Sequence, residues 1–286
     1  MTPDSYCQEK AGGSGSSFYY SFLFLPTEGR RAITALYAFC REVDDIVDEC
    51  SEPELARVKL SWWRQEIDNT FLGKPEHPVG KALVPAIKQY RLNKDYFHEI
   101  INGMEMDLYK NRYASFSELG LYCHRAASVV GLLAASIFGY RDKETLEYAR
   151  KLGIAFQLIN IIRDVGEDAR RNRIYLPVED LKQFNVPETD ILHSKESENF
   201  VALMQFQSKR AMQYYDEALS HLTQRDRPQQ LPGLIMAAIY FSVLSEIEKD
   251  GFHVLKQKIT LTPLRKLWIT LRTLWQEKRL HKLHAA

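Results

Sequence analysis

From Lys143 to Asp168 the chain runs without a proline, and over its second half it is apolar on every side but one. Leu158, Ile159, Ile161, Ile162 and Val165 surround a single polar stripe of Gln157, Asn160, Asp164, Asp168 and Arg171, spaced three, four, four and three. That spacing is one face of an α-helix. A helix so enclosed by apolar side chains is buried, so other elements must pack around it and its polar stripe must face an internal cavity rather than bulk water.

The rest of the chain supplies helices for that packing. Glycine and proline fall between long stretches of helical periodicity, and alternating β-branched runs are almost absent, so the fold class predicted is all-α. The periodicity predicts helices over Arg30 to Asp48, Pro53 to Phe71, Val79 to Tyr90, Lys94 to Leu108, Ser117 to Phe138, Lys143 to Asp168, Ser197 to Leu222, Pro232 to Lys249 and Pro263 to His281. The breakers "LGKPEHP", "GYRD", "YLPVED" and "QRDRPQQLPG" mark joints, none long enough for a domain linker, so residues 1–286 read as one domain. With 286 residues and 45% hydrophobic content, such a domain can bury a substantial core.

Charge and cysteine usage exclude several classes. The 38 basic and 37 acidic residues nearly cancel, which gives no reason to expect nucleic acid as a partner. Cys7, Cys40, Cys50 and Cys123 are scattered without metal spacing, as in a reduced, cytoplasmic protein. The polar "AGGSGSS" stands where the apolar core of a secretory leader would lie, and no run approaches the roughly 18 uninterrupted apolar residues of a membrane span. The aromatics of "FYYSFLFLP" just after it need burial, which suggests a segment that folds over a pocket; a flexible leader is the plainer reading. The small residues Ala126, Ala127, Ser128, Gly131, Ala134 and Ala135 fit either a close helix neighbour or an apolar ligand.

The polar stripe contains two apparent faults. Asp164 and Asp168 stand four apart, where like charges repel, and Gly166 between them costs a helix roughly 1 kcal/mol relative to alanine. An earlier helix repeats the design, with Thr34, Tyr37, Arg41, Asp44 and Asp48 set among Ile33, Leu36, Phe39, Val43 and Val47. Paired carboxylates without histidine or cysteine suit a hard cation, and Mg²⁺ holds a few carboxylates while sharing its other positions with phosphate oxygens. A magnesium-bridged diphosphate would convert the repelling aspartates into ligands, give Gly166 the task of making room beside the anion, and employ Arg163, Arg171, Arg173 and Arg41, with Arg30, Arg31 and Arg170, as phosphate holders. For Arg30 and Arg170, surface ion pairing is the alternative. A diphosphate held in an aromatic cavity is a leaving group, and Phe18, Tyr19, Phe22, Tyr37 and Tyr240 are candidate walls for the cation left behind.

The runs "YAFCREVDDIVDE" and "FQLINIIRDVGEDARRNRIYLP" resemble the paired signatures of the squalene and phytoene synthase family, and the likeness extends from "SGSSFYYSFLFLP" through "INGMEMDL" to "AAIYFSVL". Within that family the likeness is to the bacterial presqualene diphosphate synthases of squalene and hopanoid biosynthesis. The resemblance implies an isoprenoid synthase fold and a prenyltransferase reaction in which two farnesyl diphosphates condense head to head to presqualene diphosphate. Dehydrosqualene, squalene or phytoene formation are the rival outcomes on the same scaffold. The resemblance implies two or three Mg²⁺ ions on Asp44, Asp48, Asn160, Asp164 and Asp168 and substrate contacts from Phe18, Arg41, Gln157, Asn160 and Tyr240, to which the charge pattern adds Arg163 and Arg171; released diphosphate and Tyr37 are the two candidates for the base that takes the proton. NADPH is not expected, and downstream enzymes of the pathway are candidate partners. One departure is that Ser14 and Ser16 stand where related enzymes can have His and Lys.

The C-terminal segment, residues 255–286, has its own character. From Lys256 onward there are eight Lys or Arg and one acid, Glu277, while Leu264, Trp268, Leu271 and Trp275 keep helical spacing. Two readings fit: a basic amphipathic helix at the inner membrane surface, or a terminal helix that packs Trp268 and Trp275 into the core. A non-catalytic helical adaptor at a membrane surface would explain this tail but would leave both acidic stripes without a purpose.

Overall fold

Helix follows helix along the chain, as the periodicity predicts. The computed structural model describes residues 1–12, 21–22, 24–50 and 52–285, with side chains as far as Leu280. Its helices are α1 (Pro3–Gly12), α2 (Thr27–Glu49), α3 (Pro53–Phe71), α4 (Pro78–Tyr90), α5 (Lys94–Met106), α6 (Phe116–Cys123), α7 (Val129–Phe138), α8 (Glu144–Arg170), α9 (Val178–Gln183), α10 (Glu188–Leu192), α11 (Glu198–His221), α12 (Leu231–Lys249) and α13 (Pro263–Ala285). The described residues contain no strand, only an isolated bridge between Arg112 and Ile174. The nine predicted helices are present, with ends shifted by a few residues.

Three short helices, α1, α9 and α10, were not predicted. Each begins at or just after a proline, Pro3, Pro177 or Pro187, which reads as a breaker although the first turn of a helix tolerates it. The four cysteines are free thiols.

The predicted helix from Ser117 to Phe138 is interrupted by a π-helical turn, His124–Ser128, between α6 and α7. Neighbouring helices press against this turn at glycines. A Cβ on Gly153 would lie 2.7 Å from the Ala127 carbonyl oxygen, and one on Gly103 would lie 2.9 Å from Arg125 Cβ. One turn on, a Cβ on Gly131 would lie 2.6 Å from the Ala149 carbonyl oxygen. The small-residue stripe therefore serves close helix packing, in which backbones replace side chains as the contact surface. Ala126 packs against both large apolar clusters, one built around α2 and α5, the other around α8, α11 and α12.

Buried carboxylates stabilise the joints by accepting backbone N–H groups that the helices leave unsatisfied. Glu66 accepts from Glu76 N at 3.0 Å and His77 N at 2.8 Å and so ties down "LGKPEHP". Asp226 accepts from Arg141 N at 3.0 Å, Asp142 N at 2.9 Å and Thr145 Oγ1 at 2.7 Å, which staples "GYRD" to "QRDRPQQLPG". By contrast, the Tyr148 hydroxyl is buried without a hydrogen-bond partner among the described residues. Tyr148→Phe is expected to stabilise the protein by about 0.5–1 kcal/mol in chemical denaturation, because it removes an unpaid desolvation cost.

Two runs, Phe116–Phe138 and Leu231–Lys249, are long and apolar enough to cross a membrane by length and composition. Both contribute buried side chains to the core clusters, which accounts for their hydropathy.

Candidate active site

The two acidic stripes are brought together. Along α8, Leu158, Ile159, Ile161, Ile162 and Val165 are buried, while Gln157, Asn160, Asp164 and Asp168 are half-buried; along α2 the same contrast holds for Thr34, Tyr37, Arg41 and Asp44 against Ile33, Leu36, Phe39 and Val43. The half-buried residues also include Phe156, Arg163 and Glu167 of α8 and Glu42, Asp45 and Ile46 of α2, while Asp48 is exposed. The stripes join where the chain leaves α8: Arg171 Nη1 lies 2.9 Å and Arg173 Nη1 3.1 Å from Asp48 Oδ1 of α2.

The aspartates are less enclosed than the sequence reading implies. Asp48 keeps 35% of its side-chain surface exposed and Asp44 40%, against 18% for Asp164. Nor do they gather on their own: among the described residues no three carboxylate, histidine or cysteine groups stand together at metal-ligand distance. Most are instead clamped by cations. Arg41 Nη1 donates to Asp44 Oδ2 at 2.5 Å, and its other nitrogen reaches Asp45 on the adjoining face. Arg163, read as a phosphate holder, lies bidentate on its own neighbour, with Nε 2.8 Å from Asp164 Oδ1 and Nη2 2.6 Å from Oδ2. Lys258 approaches the same carboxylate at 3.2 Å and Glu167 at 2.7 Å.

Electrostatics divides the four. Asp164 is held below the usual carboxylate range because its bonds to Arg163, and the charges of Arg163 and Lys258, outweigh the burial that acts against ionisation. Burial pushes Asp168 up to about 7, with the Asp164 charge adding to it and Arg173 opposing. Asp44 is pushed up to about 6 by burial and then by Asp48, although Arg41 pulls it down and part of its surface stays open. Asp168 is the carboxylate short of positive charge, and Asp44 stays raised although Arg41 is bound to it.

A residue that sequence reasoning missed completes the cluster. Asp107, just past α5, accepts from Tyr122 Oη and Tyr175 Oη, each at 2.9 Å. Burial pushes it up to about 7; Arg173 and the two tyrosines oppose, and Asp44 adds to the rise. The rings of Tyr122 and Tyr175 stack at 5.1 Å, and Tyr113 stacks on Tyr175 at 5.8 Å. The only sequence signal was an acid, the second in "INGMEMDL", at the end of that helix.

Beyond the aspartates, Tyr240 stacks on Phe156 at 4.3 Å between centroids. Burial raises the Tyr240 hydroxyl above its ordinary range; Arg163 and a bond from Asn160 oppose, and Tyr37 adds to the rise, so these side chains share one region. Phe22 is buried, whereas Phe18 and Tyr19 lie outside the described residues, as do Ser14 and Ser16. Two expectations are corrected. Arg31 pairs with Asp4 at 2.5 Å and so ties α2 to α1, while Arg30 donates to the Leu25 carbonyl at 3.1 Å, in the turn that leads into α2. Gly166 makes room for protein rather than for an anion: a Cβ there would lie 2.7 Å from the Val254 carbonyl oxygen and closer still to that of Leu255.

Similarity to known proteins extends over most of the chain. A family model described as squalene/phytoene synthase matches residues 11–265. Phytoene synthase of Arthrospira platensis is 35% identical over 279 residues, which span 92% of this chain and 90% of that protein. The 15-cis-phytoene synthase of Synechococcus elongatus is 34% identical over 273 residues, spanning 91% and 89%. Among solved structures, a dehydrosqualene synthase in complex with ligand superposes with a TM-score of 0.86 at 28% identity, covering 97% of each chain. Squalene synthase HpnC from Alicyclobacillus acidocaldarius gives 0.79 at 26% identity, covering 87% of this chain and 94% of that one.

Proposed function

The chain belongs to the squalene/phytoene synthase family, and from that premise we propose that it joins two allylic prenyl diphosphates head to head, as one domain, with the acidic cavity between α2 and α8 as its active site. The observation that carries this reading is the meeting of the two aspartate stripes, with Asp48 bound by arginines from the far end of α8. A membrane adaptor has no use for that arrangement.

The donor set fits Mg²⁺. It offers hard carboxylate oxygens on Asp44, Asp48, Asp164 and Asp168. Asn160 adds a buried side-chain oxygen that has no hydrogen-bond partner among the described residues, an acceptor waiting for a cation. Asp44 and Asp168, which resist ionisation as they stand, would gain most from a divalent ion. When bound, the metal supplies charge to a departing diphosphate. Arg171, Arg173 and Lys258 hold the same carboxylates and add forked or point donors on that side of the cavity. Tyr37, Phe156 and Tyr240 line the apolar part, where ring faces stabilise an allylic cation and offer it no nucleophile. The C2=C3 bond of the second substrate attacks that cation at C1, and loss of a proton closes a cyclopropylcarbinyl diphosphate; departure of its diphosphate, rearrangement of the carbon skeleton and loss of a second proton then give a phytoene-type hydrocarbon with no reductant consumed.

The reading of the product that the relatives' names support is of the phytoene type, a C40 hydrocarbon from two C20 donors. It replaces presqualene diphosphate from two farnesyl diphosphates as the first choice. The C15 reading stands second, supported by the likeness to a dehydrosqualene synthase and to squalene synthase HpnC.

Incubation with geranylgeranyl or farnesyl diphosphate and Mg²⁺, with NADPH present or omitted, followed by mass spectrometry, tests both. Phytoene from the C20 donor without NADPH is the expected result. Presqualene diphosphate or a C30 hydrocarbon from the C15 donor alone would establish the second reading. No Mg²⁺-dependent release of diphosphate from either donor would overturn both.

A further inference from the structure

Helix α13 is amphipathic in the inverted sense. Its inward face is Lys266, Ile269, Thr270, Thr273 and Glu277, and its outward face is Leu264, Leu267, Trp268, Leu271 and Trp275. Trp268 is 58% exposed, Trp275 62% and Leu264 80%. The helix is fastened by Ile269 and Leu274, which pack against the core, and by polar ties. Arg227 lies bidentate on Glu277, with Nε and Nη2 at 2.9 and 2.7 Å, and Arg265 Nη2 reaches Glu246 at 2.7 Å. The expectation that both tryptophans pack into the core is thus overturned. A contiguous row of two tryptophans and three leucines along one helix face is more apolar surface than scattered exposure accounts for.

The flanks of that row identify what covers it. Arg272 lies over the Trp268 ring and Arg279 over the Trp275 ring, each 5.3 Å from the centroid, and Lys278 stands beside them, exposed. Among the described residues no carboxylate pairs with Arg272, Lys278 or Arg279, and the one acid of the segment, Glu277, is turned inward onto Arg227. A second copy of the helix would set these cations against their own equivalents. An anionic bilayer surface meets every feature: tryptophan rings seat at the headgroup boundary, leucines enter the acyl region, and Lys or Arg meet the phosphates.

We propose that the outward face of α13 docks this protein on an anionic lipid surface, through Leu264, Trp268, Leu271 and Trp275 inserted at the interface and Arg272, Lys278 and Arg279 on lipid phosphates. The proposal does not depend on the reaction, because binding is measured without substrate.

The test is flotation of the full-length protein with vesicles of phosphatidylcholine alone or mixed with phosphatidylglycerol, alongside tryptophan emission. Wild type is expected to float with the anionic vesicles, with a blue-shifted emission, and to bind neutral vesicles about tenfold more weakly. The double variant Trp268→Ser, Trp275→Ser is expected to bind the anionic vesicles at least about tenfold more weakly at an unchanged Tm, since both side chains are largely exposed. Arg272→Gln with Arg279→Gln is expected to lose the preference for anionic lipid. Absence of wild-type flotation, or equal flotation of the tryptophan variant, would overturn the proposal. So would sedimentation equilibrium showing a dimer that the tryptophan variant converts to monomer, because the face would then be an interface between copies.

Discussion

Asp164→Asn and Asp168→Asn are expected to lose turnover alike, by about 10³-fold, and to move stability in opposite directions. The two carboxylates stand one helical turn apart, yet Asp164 is held ionised by Arg163 and Lys258, while Asp168 is pushed up to about 7 by burial and by Asp164. For an acid whose folded pKa is raised, the charged form opposes folding. That penalty is complete above about pH 7 and is relieved as pH falls through the folded value toward the ordinary carboxylate value near 4. Without metal, Asp168→Asn removes the penalty and should raise stability at pH 7.5 by of order 1–2 kcal/mol, allowing for screening. For Asp164 the sign reverses, because a depressed folded pKa contributes stability at neutral pH that is lost as pH falls through it. Asp164→Asn leaves the Arg163 guanidinium without its bidentate partner and should cost about 2–4 kcal/mol, a fall in Tm of roughly 5 °C or more. Thermal melts of both variants from pH 5 to 8, with and without Mg²⁺, read these signs. The metal should stabilise wild type most at the upper end of that range, where Asp44 and Asp168 carry their charge. A parallel response of the two variants would contradict the electrostatic division of the site.

That division was not legible in the sequence, although the two acidic stripes were. The stripes of α2 and α8 could be read because a 3.6-residue period converts spacing directly into a shared face; their depth could not, and the apolar neighbours overstated the enclosure of Asp44 and Asp48. Partners could not be read in the same way. Arg163 and Asp164 are adjacent in sequence, on neighbouring sides of the helix by spacing alone, and only the bend of a long side chain lets them pair. Asp107 acquires its role from Tyr122 and Tyr175, which lie 15 and 68 residues away. Nothing local to "INGMEMDL" encodes that meeting. For α13 the period was visible but its phase was ambiguous. Leu264, Trp268, Leu271 and Trp275 form an apolar row in either orientation, and the inward turn of Glu277 is decided by Arg227, fifty residues earlier. Short helices such as α9 and α10 escaped because one or two turns contain too few residues to establish a period.

Gly166→Ala is expected to destabilise the protein by about 2–4 kcal/mol, against the roughly 1 kcal/mol that alanine would contribute to an isolated helix. The obstruction is backbone: the Val254 and Leu255 carbonyls occupy the space where a methyl group would go. Backbone cannot rotate aside as a side chain can, so either α8 or the 252–256 segment must shift. Val254 and Leu255 are themselves nearly fully buried, at 2% and 1% exposure, which makes that shift expensive. The consequence reaches the site, because the same segment leads to Lys258, 3.2 Å from Asp164 and 2.7 Å from Glu167. Displacement of Lys258 would weaken what holds Asp164 ionised, so its carboxylate pKa should rise. Chemical denaturation separates this role from the one first read in the sequence. Had Gly166 made room for an anion, alanine would raise KM for the diphosphate substrate at unchanged or improved stability. With protein backbone in that space, the unfolding midpoint falls first, and activity declines at temperatures where the wild-type fold persists.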